Sequence, residues 1–198
     1  MRALHVDPNR CIGCRACEEA CSECPDHFGV PMIHLDFLER AVSVQTAPTV
    51  CMHCSEPACA SVCPADAIKV DRDGVVLSAA AERCIGCGNC ALACPFGVPR
   101  IDATRELMTK CDLCYGRTSR GLAPMCATVC PSGALFWGTH EEVCDQRRAR
   151  PLNAFLFGEQ RVVTRNHVMV PAATGTVAVG GADAPRSRAE QSLEEALC

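Results

Sequence analysis

The sequence predicts a small α+β fold organised around bound metal rather than around a large apolar core. Three observations carry that reading. The chain has 19 Cys among 198 residues but only one Trp and one Tyr, so few large side chains can fill an interior. Sixteen of the cysteines fall into four repeats of one four-Cys motif. Between the repeats lie only short apolar runs bounded by turn residues, which read as short strands, and one capped helix.

The first repeat, in CIGCRACEEACSECP, is Cys11, Cys14, Cys17 and Cys21. Residues 22–50 form a long insertion before the second repeat, CMHCSEPACASVCP, which is Cys51, Cys54, Cys59 and Cys63 closed by Pro64. AIKVDRDGVVL at 67–77 reads as strand, turn and strand, with Asp73-Gly74 in the turn. The third repeat, CIGCGNCALACP, is Cys84, Cys87, Cys90 and Cys94 closed by Pro95. It matches the C-x2-C-x2-C-x3-C-P run that holds iron–sulfur clusters in bacterial ferredoxins. The fourth is Cys111, Cys114, Cys126 and Cys130 closed by Pro131, with one gap widened to eleven residues. GALFWGTH at 133–140 reads as strand and turn, and a helix begins at Thr139, with Glu142 at N3. After Pro151 comes an apolar patch, LNAFLFGEQRVV, and then an Ala/Gly/Thr-rich tail that is either disordered or laid over a partner.

The spacing has a chemical reason. Three thiolates at intervals of three let a tight loop wrap one face of a cubane, and Gly13, Gly86 and Gly88 suit so close a backbone approach. The fourth Cys lies about one helical turn onward, and in two-cluster ferredoxins it ligates the other cluster. Structural zinc takes two separated C-x2-C pairs, which triplets do not match. Disulfides between neighbours two or three residues apart would close strained, tiny loops. Cys21 is in register with Cys94, which leaves Cys24, Cys144 and Cys198 as extras: small buried hydrophobes or spare thiols. His53, inside CMHC, either donates to a cluster sulfur, sits at an electron exit or packs; the other five histidines read as unclustered and structural. Trp137 and Tyr115 read as core or interface residues.

Several classes are set aside. No uninterrupted run of 18 apolar residues exists, so no membrane span is expected. Net charge is −4, with 17 Arg and 2 Lys, which offers no basic field for nucleic acid. Residues 1–10 hold no apolar signal-peptide core. Neither a phosphate-cradling loop nor a nucleophile–base arrangement is present. Clusters with four Cys each have no open iron site, so one-electron transfer remains. Each oxidised cluster with its thiolates carries about −2, which takes the holo chain to about −12. Arg15, Arg83, Arg100, Lys110, Arg117 and Arg120 lie beside the motifs and either offset that charge or are ordinary solvated surface.

Residues 4–140, above all CMHCSEPACASVCP and MTKCDLC, resemble the four-cluster ferredoxin-type subunit of molybdenum and tungsten oxidoreductases. That family includes the iron–sulfur subunits of dimethyl sulfoxide reductase, polysulfide reductase and formate dehydrogenase. The resemblance implies four [4Fe-4S] clusters. Their ligands would be Cys11, Cys14, Cys17 and Cys130; Cys21, Cys111, Cys114 and Cys126; Cys51, Cys54, Cys59 and Cys94; and Cys63, Cys84, Cys87 and Cys90. It implies two dicluster ferredoxin-like units with short hairpins and helices, an outer one from 1–47 and 100–138 and an inner one from 48–99. Residues 139–198 would add a helix and an extended partner-docking tail. The implied function is non-catalytic electron relay between a molybdenum or tungsten catalytic subunit and a quinone-linked membrane subunit or soluble acceptor. The alternatives are a free-standing polyferredoxin and the carrier of a hydrogenase or carbon monoxide dehydrogenase system. The expected place is the cytoplasm or the cytoplasmic face of the membrane, with folded co-export to the periplasm on a partner as the alternative.

Overall fold

The computed structural model describes residues 2–27, 29–39, 44–147 and 149–171. It is a mixed α/β fold whose largest element is a four-stranded sheet in the order β6-β1-β8-β7. Strand β1 (Ala3–Val6) pairs antiparallel with β6 (Leu135–Gly138) and parallel with β8 (Gln160–Pro171). Strand β7 (Ala149–Phe157) forms an antiparallel hairpin with β8. Strands β2 (His34–Glu39) and β3 (Val44–Thr49) form a second hairpin inside the long insertion. Strands β4 (Arg100–Asp102) and β5 (Leu107–Thr109) form a third, ahead of the fourth Cys repeat.

The helices are short, and most adjoin or carry cysteines. Helix α1 (Ala16–Ser22) holds Cys17 and Cys21 and packs on α5 (Met125–Val129), which holds Cys126 and runs into Cys130. Helix α2 (Ala58–Ser61) holds Cys59 and packs on α3 (Asn89–Ala93), which holds Cys90 and runs into Cys94. Helix α4 (Tyr115–Thr118) follows Cys114. Helix α6 (His140–Gln146) begins where the sequence places it: the Thr139 hydroxyl accepts the Glu142 N–H at 3.3 Å, and the Glu142 carboxylate accepts the Thr139 N–H at 2.9 Å.

The core is built as the composition implies. Leu4, Val6, Ile33, Val75, Val98, Leu113 and Leu135 are buried together with Cys17, Cys21, Cys51, Cys111 and Cys126. A smaller cluster joins Ile68, Val76 and Met108 to Cys59 and Cys90. The hairpin at 67–77 is present as one Val70–Val76 bridge, with Gly74 left-handed in the turn (φ +75°).

One expectation changes. The apolar patch after Pro151 does not belong to an extended tail, because residues 149–171 are two strands of the main sheet. Gly158, left-handed at φ +63°, makes the tight turn between them. The docking tail, where it follows Pro171, lies outside the described residues, as does Cys198.

Candidate metal centres

All four repeats share one backbone feature in their C-x2-C segments. The residue before the second Cys is left-handed in each: Gly13 (φ +71°), His53 (+49°), Gly86 (+64°) and Leu113 (+63°). At Gly13 an added Cβ would lie 3.2 Å from the Thr46 methyl, and at Gly86 3.0 Å from the Glu106 carbonyl oxygen, so both sites need glycine. Gly88, expected to serve the same close approach, faces open space; its left-handed backbone (φ +78°) starts α3. His53 and Leu113 hold the shape against a cost of about 1–3 kcal/mol each, which a loop required in one conformation can bear.

Twelve of the sixteen motif cysteines come together in fours around three cavities. Cys11, Cys14, Cys17 and Cys130 line one cavity, walled by Ile12, Leu35 and Leu135. Cys51, Cys54, Cys59 and Cys94 line a second, with Val76, Phe96 and Lys110. Cys63, Cys84, Cys87 and Cys90 line a third, with Ile68, Ile85 and Met108. Cys21, Cys111, Cys114 and Cys126 are all buried. Burial, then Cys51, Asp112 and Cys21, pushes the Cys111 thiol up; burial, then Cys111, Cys114 and Cys21, does the same to Cys126. These last four are thus joined by burial and mutual electrostatic influence rather than by a cavity, and Cys51 acts on Cys111 as well.

The short helices distribute the thiols. Cys17, near the start of α1, faces the first cavity, while Cys21, one turn on, faces the buried set. Cys59 on α2 and Cys63 just beyond it part in the same way between the other two cavities.

The donor set fits an iron–sulfur group. It is all sulfur, walled by apolar side chains, as soft metal centres require. The sixteen motif cysteines and Cys24 are free thiols, so a disulfide framework does not account for them. Burial pushes Cys54 up to about 12, and Cys17 and Cys59 to about 11. Such thiols stay neutral until a metal takes the proton's place. Donors already point at sulfur: the N–H groups of Met32 to Cys21 (3.2 Å), Ala67 to Cys63 (3.3 Å) and Leu135 to Cys130 (3.4 Å), and the Thr46 hydroxyl to Cys11 (3.2 Å). His53 adds a test. Its Nδ1 accepts the Val76 N–H at 3.0 Å, so in the neutral ring Nε2 carries the proton. Nε2 is buried and finds no acceptor among the described residues, the condition of a donor waiting for sulfide or thiolate. At 1 % exposure His53 cannot be an electron exit.

Of the basic residues beside the motifs, Arg15, Arg83, Arg100 and Arg120 are exposed and Arg117 is half-buried. Arg15 pairs with Glu18 and Arg83 with Asp66, the behaviour of surface charge. Lys110 differs: it is 1 % exposed, lines the Cys51 cavity, and donates to the carbonyls of Val76 and Cys111. No carboxylate pairs with it among the described residues. Tyr115 donates to Asp71 and Asp73, tying α4 to the turn of the 67–77 hairpin.

Sequence reading missed three features. The histidines do cluster: His5, His140 and His167 meet edge to face at the junction of β1, α6 and β8, with ring centroids 4.7 Å apart for His5–His167 and 6.1 Å for His140–His167. His27 bonds through both ring nitrogens, to Asp112 (2.9 Å) and to the Cys21 carbonyl (2.7 Å). Burial alone would depress it, but the bonds to Asp112 and Cys21 hold it up at about 11. Strand β8 cradles the second repeat: the Arg165 N–H reaches the His53 carbonyl (3.0 Å), the Ser55 N–H the Val163 carbonyl (2.9 Å), and the fully buried Asn166 side chain the Cys51 carbonyl (2.8 Å). Only the apolar patch and Gly158 could have signalled that strand.

Comparison with known proteins agrees with the chemistry. A model of 4Fe-4S dicluster domains matches residues 42–140, and one of 4Fe-4S binding domains matches residues 2–23. The formate dehydrogenase-O iron–sulfur subunit of Escherichia coli K12 is 34 % identical over 159 residues, covering 70 % of this chain and 53 % of the relative. The B subunit of anaerobic dimethyl sulfoxide reductase from the same organism is 36 % identical over 153 residues, covering 70 % and 73 %. The matched region thus spans about half the length of the formate dehydrogenase relative and about three quarters of the reductase subunit.

Proposed function

The protein belongs to the ferredoxin-type iron–sulfur subunits of formate dehydrogenase and dimethyl sulfoxide reductase complexes, and from that premise we propose that it is a four-cluster electron wire. The observation that carries this reading is that twelve of the motif thiols line three cavities in fours and that the remaining four, Cys21, Cys111, Cys114 and Cys126, are all buried. Each set binds one [4Fe-4S] cluster: Cys11, Cys14, Cys17 and Cys130; Cys21, Cys111, Cys114 and Cys126; Cys51, Cys54, Cys59 and Cys94; Cys63, Cys84, Cys87 and Cys90. The first two sets make an outer dicluster unit and the last two an inner one.

The clusters supply one-electron chemistry when bound; the chain sets their order, burial and charge. Cys17 lies within electrostatic reach of Cys126 in the second set, and Cys51 within reach of Cys111, which supports a linear order. The ends differ from the middle: Cys14 and Cys87 are the exposed thiols of the end sets, beside Ile12 and Ile85, each 67 % exposed. Electrons enter and leave at those ends. Lys110 and the donor at His53 stabilise the added negative charge inside.

The partners in this reading are a molybdenum or tungsten catalytic subunit and a quinone-reactive membrane subunit. No helix among the described residues is long and apolar enough to cross a membrane. The reading places the protein on the cytoplasmic face, and protease digestion of the chain in intact against lysed spheroplasts distinguishes this from folded co-export. The main test is metal analysis of the complex purified anaerobically by a tag on this chain. The expected result is about 16 irons per chain together with molybdenum or tungsten. Nickel in their place would move the partner to hydrogenase or carbon monoxide dehydrogenase, and iron with no second metal would mean a free carrier. Zinc without iron would sink the reading.

A further inference from the structure

We propose that Cys24 is a reserve ligand for the iron bound by Cys114, an inference that rests on the ligand sets just given. The sulfurs of Cys24 and Cys114 and a ring nitrogen of His27 all lie within 4.8 Å of one another, and all three side chains are buried. Cys24 is 1 % exposed. The backbone fixes it there: its N–H bonds to the Cys21 carbonyl at 3.2 Å, and its carbonyl accepts the His27 N–H at 2.9 Å. The site therefore holds five thiols where four irons need four.

A separate mononuclear site of two Cys and one His does not fit. Both His27 nitrogens are hydrogen-bonded, to Asp112 and to the Cys21 carbonyl, so neither offers a lone pair to a metal. Cys114 belongs to the ligand set of Cys21, Cys111 and Cys126 given above. A metal held by Cys24 and Cys114 is thus an iron of the cluster those residues share. Cys24 stands beside one ligand of that cluster and supplies the same soft donor.

Cys114 is the ligand with most reason to need a substitute. It sits at φ +48°, next to Leu113 at φ +63°, two consecutive left-handed residues without glycine. In the exchange the iron–sulfur bond to Cys114 breaks as that to Cys24 forms. Cys24 gives up its thiol proton and Cys114 takes one, so cluster charge and electron count are unchanged. The cluster keeps four thiolates where it would otherwise lose an iron.

The test uses the full chain loaded with clusters anaerobically, in four forms: unaltered, Cys24→Ala, Cys114→Ala, and both together. Iron per chain and the paramagnetic resonance signal of oxidised three-iron clusters are read on each. Cys24→Ala should match the unaltered chain, and Cys114→Ala should keep its iron with little three-iron signal. The double variant should lose about one iron per chain and show a three-iron signal equal to one cluster. A single Cys114→Ala variant with the full signal of the double would overturn the proposal, and so would iron loss in Cys24→Ala alone, which would make Cys24 a primary ligand. Should Cys114→Ala fail to fold, Cys114→Gly, which suits the left-handed backbone there and offers no ligand atom, is compared with its Cys24→Ala double in the same way. Absence of four-iron clusters from the unaltered chain would instead refute the ligand sets themselves.

Discussion

Asn166 offers the sharpest test of the claim that β8 holds a cluster loop in place. Its side chain is fully buried; Oδ1 accepts the Leu4 N–H at 3.2 Å and Nδ2 donates to the Cys51 carbonyl at 2.8 Å. One amide thus joins β1, β8 and the first ligand of the second repeat. Asn166→Ala strands a backbone donor and a backbone acceptor in the interior. Each unsatisfied buried group costs about 1–3 kcal/mol, so a total of about 2–6 kcal/mol is expected. In anaerobic guanidinium titration followed by cluster absorbance, that loss lowers the midpoint by about 0.5–1.5 M, taking a slope of about 4 kcal/mol per molar. The damage should also be local, with the cluster of Cys51, Cys54, Cys59 and Cys94 bleaching first and the other three outlasting it. A midpoint shift under about 0.2 M, or equal loss at all four clusters, would refute the argument that β8 positions this loop.

Three further outcomes follow from the same geometry. Lys110→Met removes a buried positive charge from the lining of the Cys51 cavity; at an effective dielectric of about 20 one nearby charge is worth on the order of a few kcal/mol, so the potential of the Cys51 cluster should fall by on the order of 100 mV in a titration followed by paramagnetic resonance. No shift there would mean that Lys110 is a packing residue only. Burial, then the neighbouring His167, holds His5 at about 4, and burial, then His140, holds His167 at about 4, both below the ordinary 6.5. The unfolded chain therefore takes up their protons first, and their stabilising contribution, complete above pH 6.5, disappears as pH falls toward 4. The denaturation midpoint should drop more steeply from pH 7.5 to 5.5 in the unaltered chain than in His5→Gln, and parallel curves would refute it. Ending the chain after Pro171 should leave all its iron bound while abolishing co-purification of the catalytic subunit. Ending it before Ala149 removes β7 and β8 and should cost iron as well; equal iron in the two truncations would contradict the role given to β8.

What the sequence revealed and what it hid divide along one physical line. The cysteine repeats are local: a C-x2-C loop has one workable backbone, and its left-handed residue recurs at Gly13, His53, Gly86 and Leu113 although only two of these are glycine. The capping box at Thr139 and Glu142 is local too. The pairing of β1 with β8 joins His5 to His167 across the length of the chain, and nothing in either segment names its partner. The same distance hid the histidine cluster and the buried lysine, because Lys110 becomes interior only when the Val76 hairpin folds over it.

Those hidden contacts also explain how so small a protein can hold so many negative groups. Four clusters, in the reading proposed above, would add about −8 to a chain already at −4, and charges of one sign crowded together would force the fold open. Water relieves the end sets, where Cys14 and Cys87 are exposed. It reaches the middle sets less, where Cys21, Cys51, Cys59, Cys111, Cys114 and Cys126 are buried and Cys54 and Cys94 half-buried. There the protein supplies cations in place of solvent: Lys110 at the Cys51 cavity and His27 against Cys21, each fixed by hydrogen bonds. His27 already has Asp112 as a partner, whereas Lys110 has no carboxylate among the described residues and depends on cluster charge for its own stability. Loss of the clusters should therefore loosen the Lys110 region first, with backbone amides from Val76 and Cys111 exchanging with solvent in the apoprotein before those of α6.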